Sequence, residues 1–295
     1  MSWLQLHFYA DDQWSESIGQ ELEDIGALAV TTTGNQDQAC YEALPSHSAP
    51  WQFLRVTGLF PAETAVEPIL AHIKKQLPEQ SLQDFQVETL QDQDWERTFL
   101  ASFQPLKVST NLWVCPSWCT PPEASATVIT LDPGLAFGTG THATTRLCLE
   151  WLASANLDKC RVLDYGCGSG ILAIGALKLG ALHAWGIDID PRAVSTSLEN
   201  SSINNTNTNF ISGQPSALPG NLSFEVVIAN ILVNTLIELQ SELSARVLEN
   251  GYLLLSGILE SQADEIIKSY GHHFEFQQFQ REEWILLVGR KLKSV

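Results

Sequence analysis

Basic residues are scarce. The chain of 295 residues carries 16 Lys and Arg against 34 Asp and Glu, a formal net charge of -18. A surface that tracks phosphates needs the opposite sign, which disfavours nucleic acid as a direct substrate and favours a basic protein or a small molecule. The opening residues, Met1-Ser2-Trp3-Leu4-Gln5, lack the basic and apolar regions of a secretion signal. No stretch of about 20 residues is both apolar and uncharged; the longest candidate, residues 171–187, is broken by Lys178 and three glycines. The expectation is a cytoplasmic protein with no membrane partner. Cys40, Cys115, Cys119, Cys148, Cys160 and Cys167 are too few for a disulfide framework in a chain of this length. Cys115 and Cys119 have no second pair at ligand spacing, and His272-His273 lies far off in sequence. Buried thiols are expected, and no metal. Apolar material is not lacking: 44% of residues are hydrophobic, enough for real cores. At roughly 100–200 residues per domain the length implies two.

The first of these follows from periodicity. Residues 4–10 alternate as a strand, and 12–25 carry Trp14, Ile18, Leu22 and Ile25 at helical spacing. A small β-branched run at 26–33, a polar loop at 34–50, a strand at 51–60, a helix at 62–77 and a strand at 85–90 complete the order β-α-β-β-α-β. That is the split unit of a ferredoxin-like α+β domain over residues 1–91. Residues 92–103, with Trp95, Phe99 and Leu100, read as a linker helix. Residues 104–130 are strand-like, and from 131 onward glycine-rich turns separate apolar runs from helical stretches. Strands are expected at 161–164, 183–188, 224–229 and 252–255, and helices at 144–153, 171–179, 191–203, 233–247 and 260–269. The alternation implies a parallel α/β sheet within residues 104–295. Strands at 274–279 and 284–288, joined by the short turn 280–283, form an antiparallel hairpin at its carboxyl edge.

Four motifs carry chemistry. In Val162-Leu163-Asp164-Tyr165-Gly166-Cys167-Gly168-Ser169-Gly170 a strand ends, the backbone turns on Gly166, Gly168 and Gly170, and a helix begins. Glycine lets a ligand touch the main chain, and the helix start offers free N–H groups. The spacing G-x-G-x-G departs from the dinucleotide pattern G-x-G-x-x-G. A tight βα turn without ligand is the bland alternative. Asp188 follows 22 residues after Gly166, at the tip of the next strand, where a carboxylate accepts hydrogen bonds from a ribose diol. Asp190 has a structural explanation as a helix cap ahead of Pro191. Asn230, in Asn230-Ile231-Leu232, sits at a strand tip beside the crevice where α/β sheets bind ligands. Its amide either accepts from an amine or caps the helix that follows. Residues 131–145, rich in glycine and threonine, read as a lid without the lysine of a phosphate loop, which disfavours ATP hydrolysis. His142 there is a candidate base, though a lone loop histidine reads first as polar surface.

Together, Asp-x-Gly-x-Gly-x-Gly at 164–170, Asp188 and Asn230-Ile231-Leu232 resemble the class I S-adenosylmethionine-dependent methyltransferases. With residues 131–145 added, the chain resembles one family over nearly its whole length, the ribosomal protein L-eleven methyltransferases (PrmA). The continuation Val233-Asn234-Thr235 departs from the Ala-Gly-Pro common in that family. The resemblance implies a seven-stranded Rossmann-like sheet behind the ferredoxin-like domain. It implies S-adenosyl-L-methionine as cofactor and the α-amino group and lysines of ribosomal protein L-eleven as substrate. It places Thr145, Gly166, Gly168, Gly170, Asp188 and Asn230 at the cofactor, Asn230 also in catalysis, and residues 138–141 as the lid. The front domain would hold the substrate. Two rivals share part of the evidence. A nicotinamide-dependent oxidoreductase would use the loop and Asp188; a non-catalytic ribosome-binding adaptor would keep the fold alone.

Overall fold

A computed structural model describes residues 2–34, 53–77, 84–91, 104–120, 126–132 and 140–293. The polar loop after residue 34, the expected linker helix at 92–103 and residues 133–139 of the expected lid lie outside them. The chain divides into two compact units, residues 1–99 and 100–295.

The first unit runs β1 (Ser2–Asp11), α1 (Asp12–Asp24), β2 (Ala29–Gly34), β3 (Phe53–Pro61), α2 (Val66–Gln76) and β4 (Asp84–Gln91). Its sheet has the order β2-β3-β1-β4, every neighbour antiparallel. Alternation along β1 buries Leu4, Leu6, Phe8 and Ala10 on one face, where they meet Ile18 and Leu22 of α1 and Ile69 and Ile73 of α2. Each fully buried aliphatic or phenyl side chain contributes about 1.5–3 kcal/mol.

The second unit opens with a small sheet of β5 (Leu106–Lys107), β6 (Leu112–Cys115) and β7 (Thr127–Thr130). There follow α3 (Ala143–Ser154), β8 (Arg161–Tyr165), α4 (Ile171–Lys178), β9 (His183–Ile187), α5 (Pro191–Ile203), β10 (Phe210–Gly213), β11 (Phe224–Asn230), α6 (Val233–Glu238), α7 (Gln240–Arg246), β12 (Val247–Leu259), α8 (Ala263–Tyr270), β13 (Phe274–Arg281) and β14 (Trp284–Lys291). These strands make a seven-stranded mixed sheet of order β10-β9-β8-β11-β12-β14-β13. Pairs from β10 to β12 are parallel, and β14 is antiparallel to both its neighbours. Strand order reverses between β8 and β11, which opens a crevice at their carboxyl ends.

Two readings of the sequence need correction. The single helix expected at 233–247 is two, because Leu239 leaves helical geometry at φ -86°, ψ 4°. Strand β10 had no sequence signal: four residues, Phe-Ile-Ser-Gly, at the sheet edge bury too little to show a run.

Candidate active site

Five residues connect β8 to α4, and three are glycines with φ of 78° (Gly166), 52° (Gly168) and 78° (Gly170). A β-carbon on Gly166 would overlap Ile231, and one on Gly170 would lie 2.9 Å from the Ser197 Cβ. Conformation and space both require glycine at these two positions. The N–H groups of Gly166 and Cys167 donate to the Ile187 carbonyl at 2.7 and 3.1 Å, which ties the loop to the end of β9.

Asp188 follows β9 directly. Its Oδ2 accepts from the Gly168 N–H and its Oδ1 from the Asp190 N–H, both at 2.9 Å. The carboxylate is thus fixed against the loop, with further lone pairs available to a ligand. Asp190 does the structural work expected of it. Its side chain accepts from the Arg192 N–H and caps α5 at Pro191, and that hydrogen bond holds its pKa below the usual carboxylate range.

Asp164, part of the motif but not among the expected cofactor residues, is the buried acid of the site at 1% exposure. Gly170 has no side chain to cap α4, and Asp164 Oδ2 accepts from the Ala173 N–H at 3.2 Å instead. Its Oδ1 is buried and has no partner among the described residues. Burial pushes the carboxyl up to about 7; the Ala173 hydrogen bond opposes the rise, and the charge of Asp188 adds to it.

Asn230 ends β11, and its Nδ2 donates to the Thr145 Oγ1 at 3.3 Å. Thr145 is buried in the first turn of α3. The capping alternative for Asn230 fails, because Leu232 occupies the cap position of α6 and no side chain caps it. Thr145, Asp164, Gly166, Gly168 and Asn230 line one cleft with Cys167, Ile171 and Leu172. Gly170 instead faces Ser197 of α5, and Asp188 reaches the cleft through the Gly168 N–H. Among the described residues no Lys or Arg lines the cleft.

Three further features escaped the sequence reading. Ile189, next to Asp188, is 79% exposed, an apolar surface offered at the crevice. His142 occupies the cap position of α3, and its ring meets Trp284 edge-on at 4.9 Å. Those two rings, with Thr141, Arg146, Arg281 and Glu282, line a second cavity of about 350 Å³. Among the described residues no cluster of His, Cys, Asp and Glu could hold a metal, and no helix is long and apolar enough to cross a membrane.

The family model of the ribosomal protein L11 methyltransferase (PrmA) matches residues 2–292. The chain belongs to the ribosomal protein L11 methyltransferase family. The family's ribosomal protein L11 methyltransferase from Photorhabdus laumondii is 43% identical over 296 residues, all of both chains. That of Teredinibacter turnerae is 44% identical over 100% of this chain and 99% of its own. The crystal structure of ribosomal protein L11 methylase from Lactobacillus delbrueckii subsp. bulgaricus superposes with a TM-score of 0.60 at 31% identity, covering 65% of this chain and 100% of that one. As a member of the L11 methyltransferase family the chain is an S-adenosylmethionine-dependent methyltransferase, with the mixed α/β fold of that class.

Proposed function

We propose that the second unit transfers methyl groups from S-adenosylmethionine to the α-amino group and lysine side chains of ribosomal protein L11, in the cytoplasm, and that the first unit, a ferredoxin-like domain, holds that substrate. The observation that carries the cofactor assignment is the charge of the cleft. Among the described residues it presents an Asp164 oxygen with no partner, has Asp188 fixed on its loop, and is lined by no Lys or Arg. A ligand bearing an ammonium and a sulfonium suits such a site. The pyrophosphate of a nicotinamide dinucleotide would meet carboxylates there, which weighs against the oxidoreductase.

In this reading Asp164 accepts from the cofactor's ammonium, Gly166 and Gly168 let its amino-acid end lie against the main chain, and Gly170 supplies the turn. Asp188 accepts from the ribose diol, and Ile189 packs on the base. When bound, S-adenosylmethionine supplies an electrophilic methyl group on sulfur. The protein's own task is to place a neutral amine in line with it. An unperturbed lysine has a pKa near 10.4, so deprotonating it at pH 7 costs roughly 4–5 kcal/mol. A sulfonium held beside the amine in an apolar site would lower that cost by destabilising the ammonium. Asn230, held by Thr145, offers a neutral carbonyl oxygen to the amine and orients its lone pair without adding charge.

Intact-mass analysis of ribosomal protein L11 incubated with the enzyme and S-adenosylmethionine tests the function. Stepwise methyl increments, up to three on an amine, are expected. An unchanged mass, with cofactor binding intact by calorimetry, overturns it in favour of the adaptor.

A further inference from the structure

Resting on the role proposed for Asn230, we infer that Gly257 is a positioning residue for the methyl-acceptor site, acting through Ile231. Strand β12 is irregular between Leu255 and Ile258 in its pairing with β14, and Gly257 lies in that irregularity with φ of 82°. One residue earlier, Ser256 is in register with Asn230. Its carbonyl accepts from the Ile231 N–H at 3.2 Å, and its hydroxyl donates to the Ile285 carbonyl at 2.9 Å, so this stretch of β12 is anchored on both sides.

Ile231 is gripped between two left-handed glycines. A β-carbon at Gly257 would overlap the Ile231 carbonyl oxygen and stand 2.9 Å from its carbonyl carbon and 3.1 Å from its nitrogen. On the other side the Ile231 Cγ2 occupies the space a β-carbon at Gly166 would need. The atoms facing Gly257 are backbone: the oxygen and carbon belong to the peptide that follows Ile231 and the nitrogen to the peptide shared with Asn230, so they yield only by moving the turn that leads out of Asn230. The hydrogen bond from Asn230 to Thr145 is already long at 3.3 Å, so a small displacement breaks it. Gly257 itself does not line the cleft. Its lack of a side chain sets the position of an amide whose geometry the reaction needs, and misplacement of such a group costs rate rather than binding.

The test uses the full-length enzyme and compares Gly257→Ala with Gly180→Ala. Gly180 also has positive φ, 107°, but an added β-carbon there meets nothing within 4 Å. Both variants carry backbone strain and lower the melting temperature; only Gly257→Ala crowds Ile231. Expected for Gly257→Ala is a kcat lower by roughly ten- to a hundred-fold, with KM for the ribosomal protein within about two-fold, while Gly180→Ala keeps wild-type kcat. In an Asn230→Ala background the Gly257 substitution should add little, because both act on one group. Should Gly257→Ala fail to fold, Ile231→Ala, which releases the grip at Gly166, is expected to show the same loss of kcat. Equal losses in both backgrounds, a similar loss in Gly180→Ala, or full activity in Gly257→Ala or Ile231→Ala would overturn the inference. A harmful Asn230→Ala beside a silent Gly257→Ala overturns it alone; a silent Asn230→Ala overturns the role of Asn230 and the inference with it.

Discussion

Replacing Asp188 with alanine removes the proposed ribose acceptor and, at the same time, the partner of two backbone donors, Gly168 and Asp190. Losing a charge-assisted contact costs about 1.5–3 kcal/mol, and the freed loop adds to that. S-adenosylmethionine affinity should therefore fall at least ten-fold by calorimetric titration, with the fold retained; wild-type affinity would refute the assignment. Asp164 makes a different prediction. The fold raises its pKa from 3.8 to about 7, so the native state holds this proton more tightly than the unfolded chain. Its contribution to stability is complete below about pH 4 and is lost as pH rises through about 7, by an amount on the order of a few kcal/mol. In the absence of cofactor, Asp164→Asn should be stabilised relative to wild type at pH 8 and much less so at pH 5.5. Cofactor affinity of the wild type should rise with pH through 7, because the charged carboxylate is the form that meets an ammonium. Melting curves and titrations at the two pH values check both, and a pH response identical in wild type and variant would exclude Asp164 as its source. Asp188 and Asn230 were legible in the sequence because strand tips and glycine spacing locate them. The orphaned oxygen of Asp164, the exposure of Ile189 and the meeting of His142 with Trp284 depend on which chain segments come together, and no local spacing encodes that.

At the scale of elements, punctuation explains what could be read. Glycines at 166, 168 and 170, the Asp190-Pro191 cap and the two-residue turn at Glu282-Glu283 mark where β8, α4, α5 and the β13–β14 hairpin begin or end. Nothing comparable marks β10, nor the break at Leu239, which lies inside an unbroken helical pattern. A cross-element tie was equally hidden. Asn204, the residue after α5, is buried. Its Nδ2 donates to the Thr130 carbonyl at 2.7 Å and to the Asn200 carbonyl at 2.8 Å, and its Oδ1 accepts from the Thr130 N–H at 2.8 Å. One amide thus satisfies both backbone groups at the end of β7 and pins the small sheet to α5. Asn204→Ala leaves these half-buried groups unpaired, at up to about 1–3 kcal/mol each. The melting temperature should drop by several degrees for a unit of this size, while S-adenosylmethionine affinity, measured well below the transition, stays near wild type. An unchanged melting temperature would mean that water replaces the amide.

The whole molecule combines two compact units, and the change of texture along the chain, from alternating strands to glycine-punctuated βα units, was legible in the sequence. The order of the seven strands was not, because pairing partners distant in sequence leave no local trace; only the hairpin, closed by a tight turn, announced its antiparallel sense. Every residue proposed to touch the cofactor, from Thr145 to Asn230, belongs to the second unit, whose core cluster runs from Val108 to Val288. A protein truncated to residues 92–295 should therefore fold and bind S-adenosylmethionine with near full-length affinity. Methylation of ribosomal protein L11 is another matter. Several amines at different places must reach one donor, and a single-unit enzyme would need a separate docking surface for each. A first unit that grips the substrate needs one, and supplies the others through effective concentration. With that unit removed, cofactor titration should be unchanged while methyl counting by mass spectrometry shows a large loss of rate, restored only in part by raising the substrate concentration. A truncated enzyme that methylates every site at the full-length rate would show that recognition resides in the catalytic unit itself.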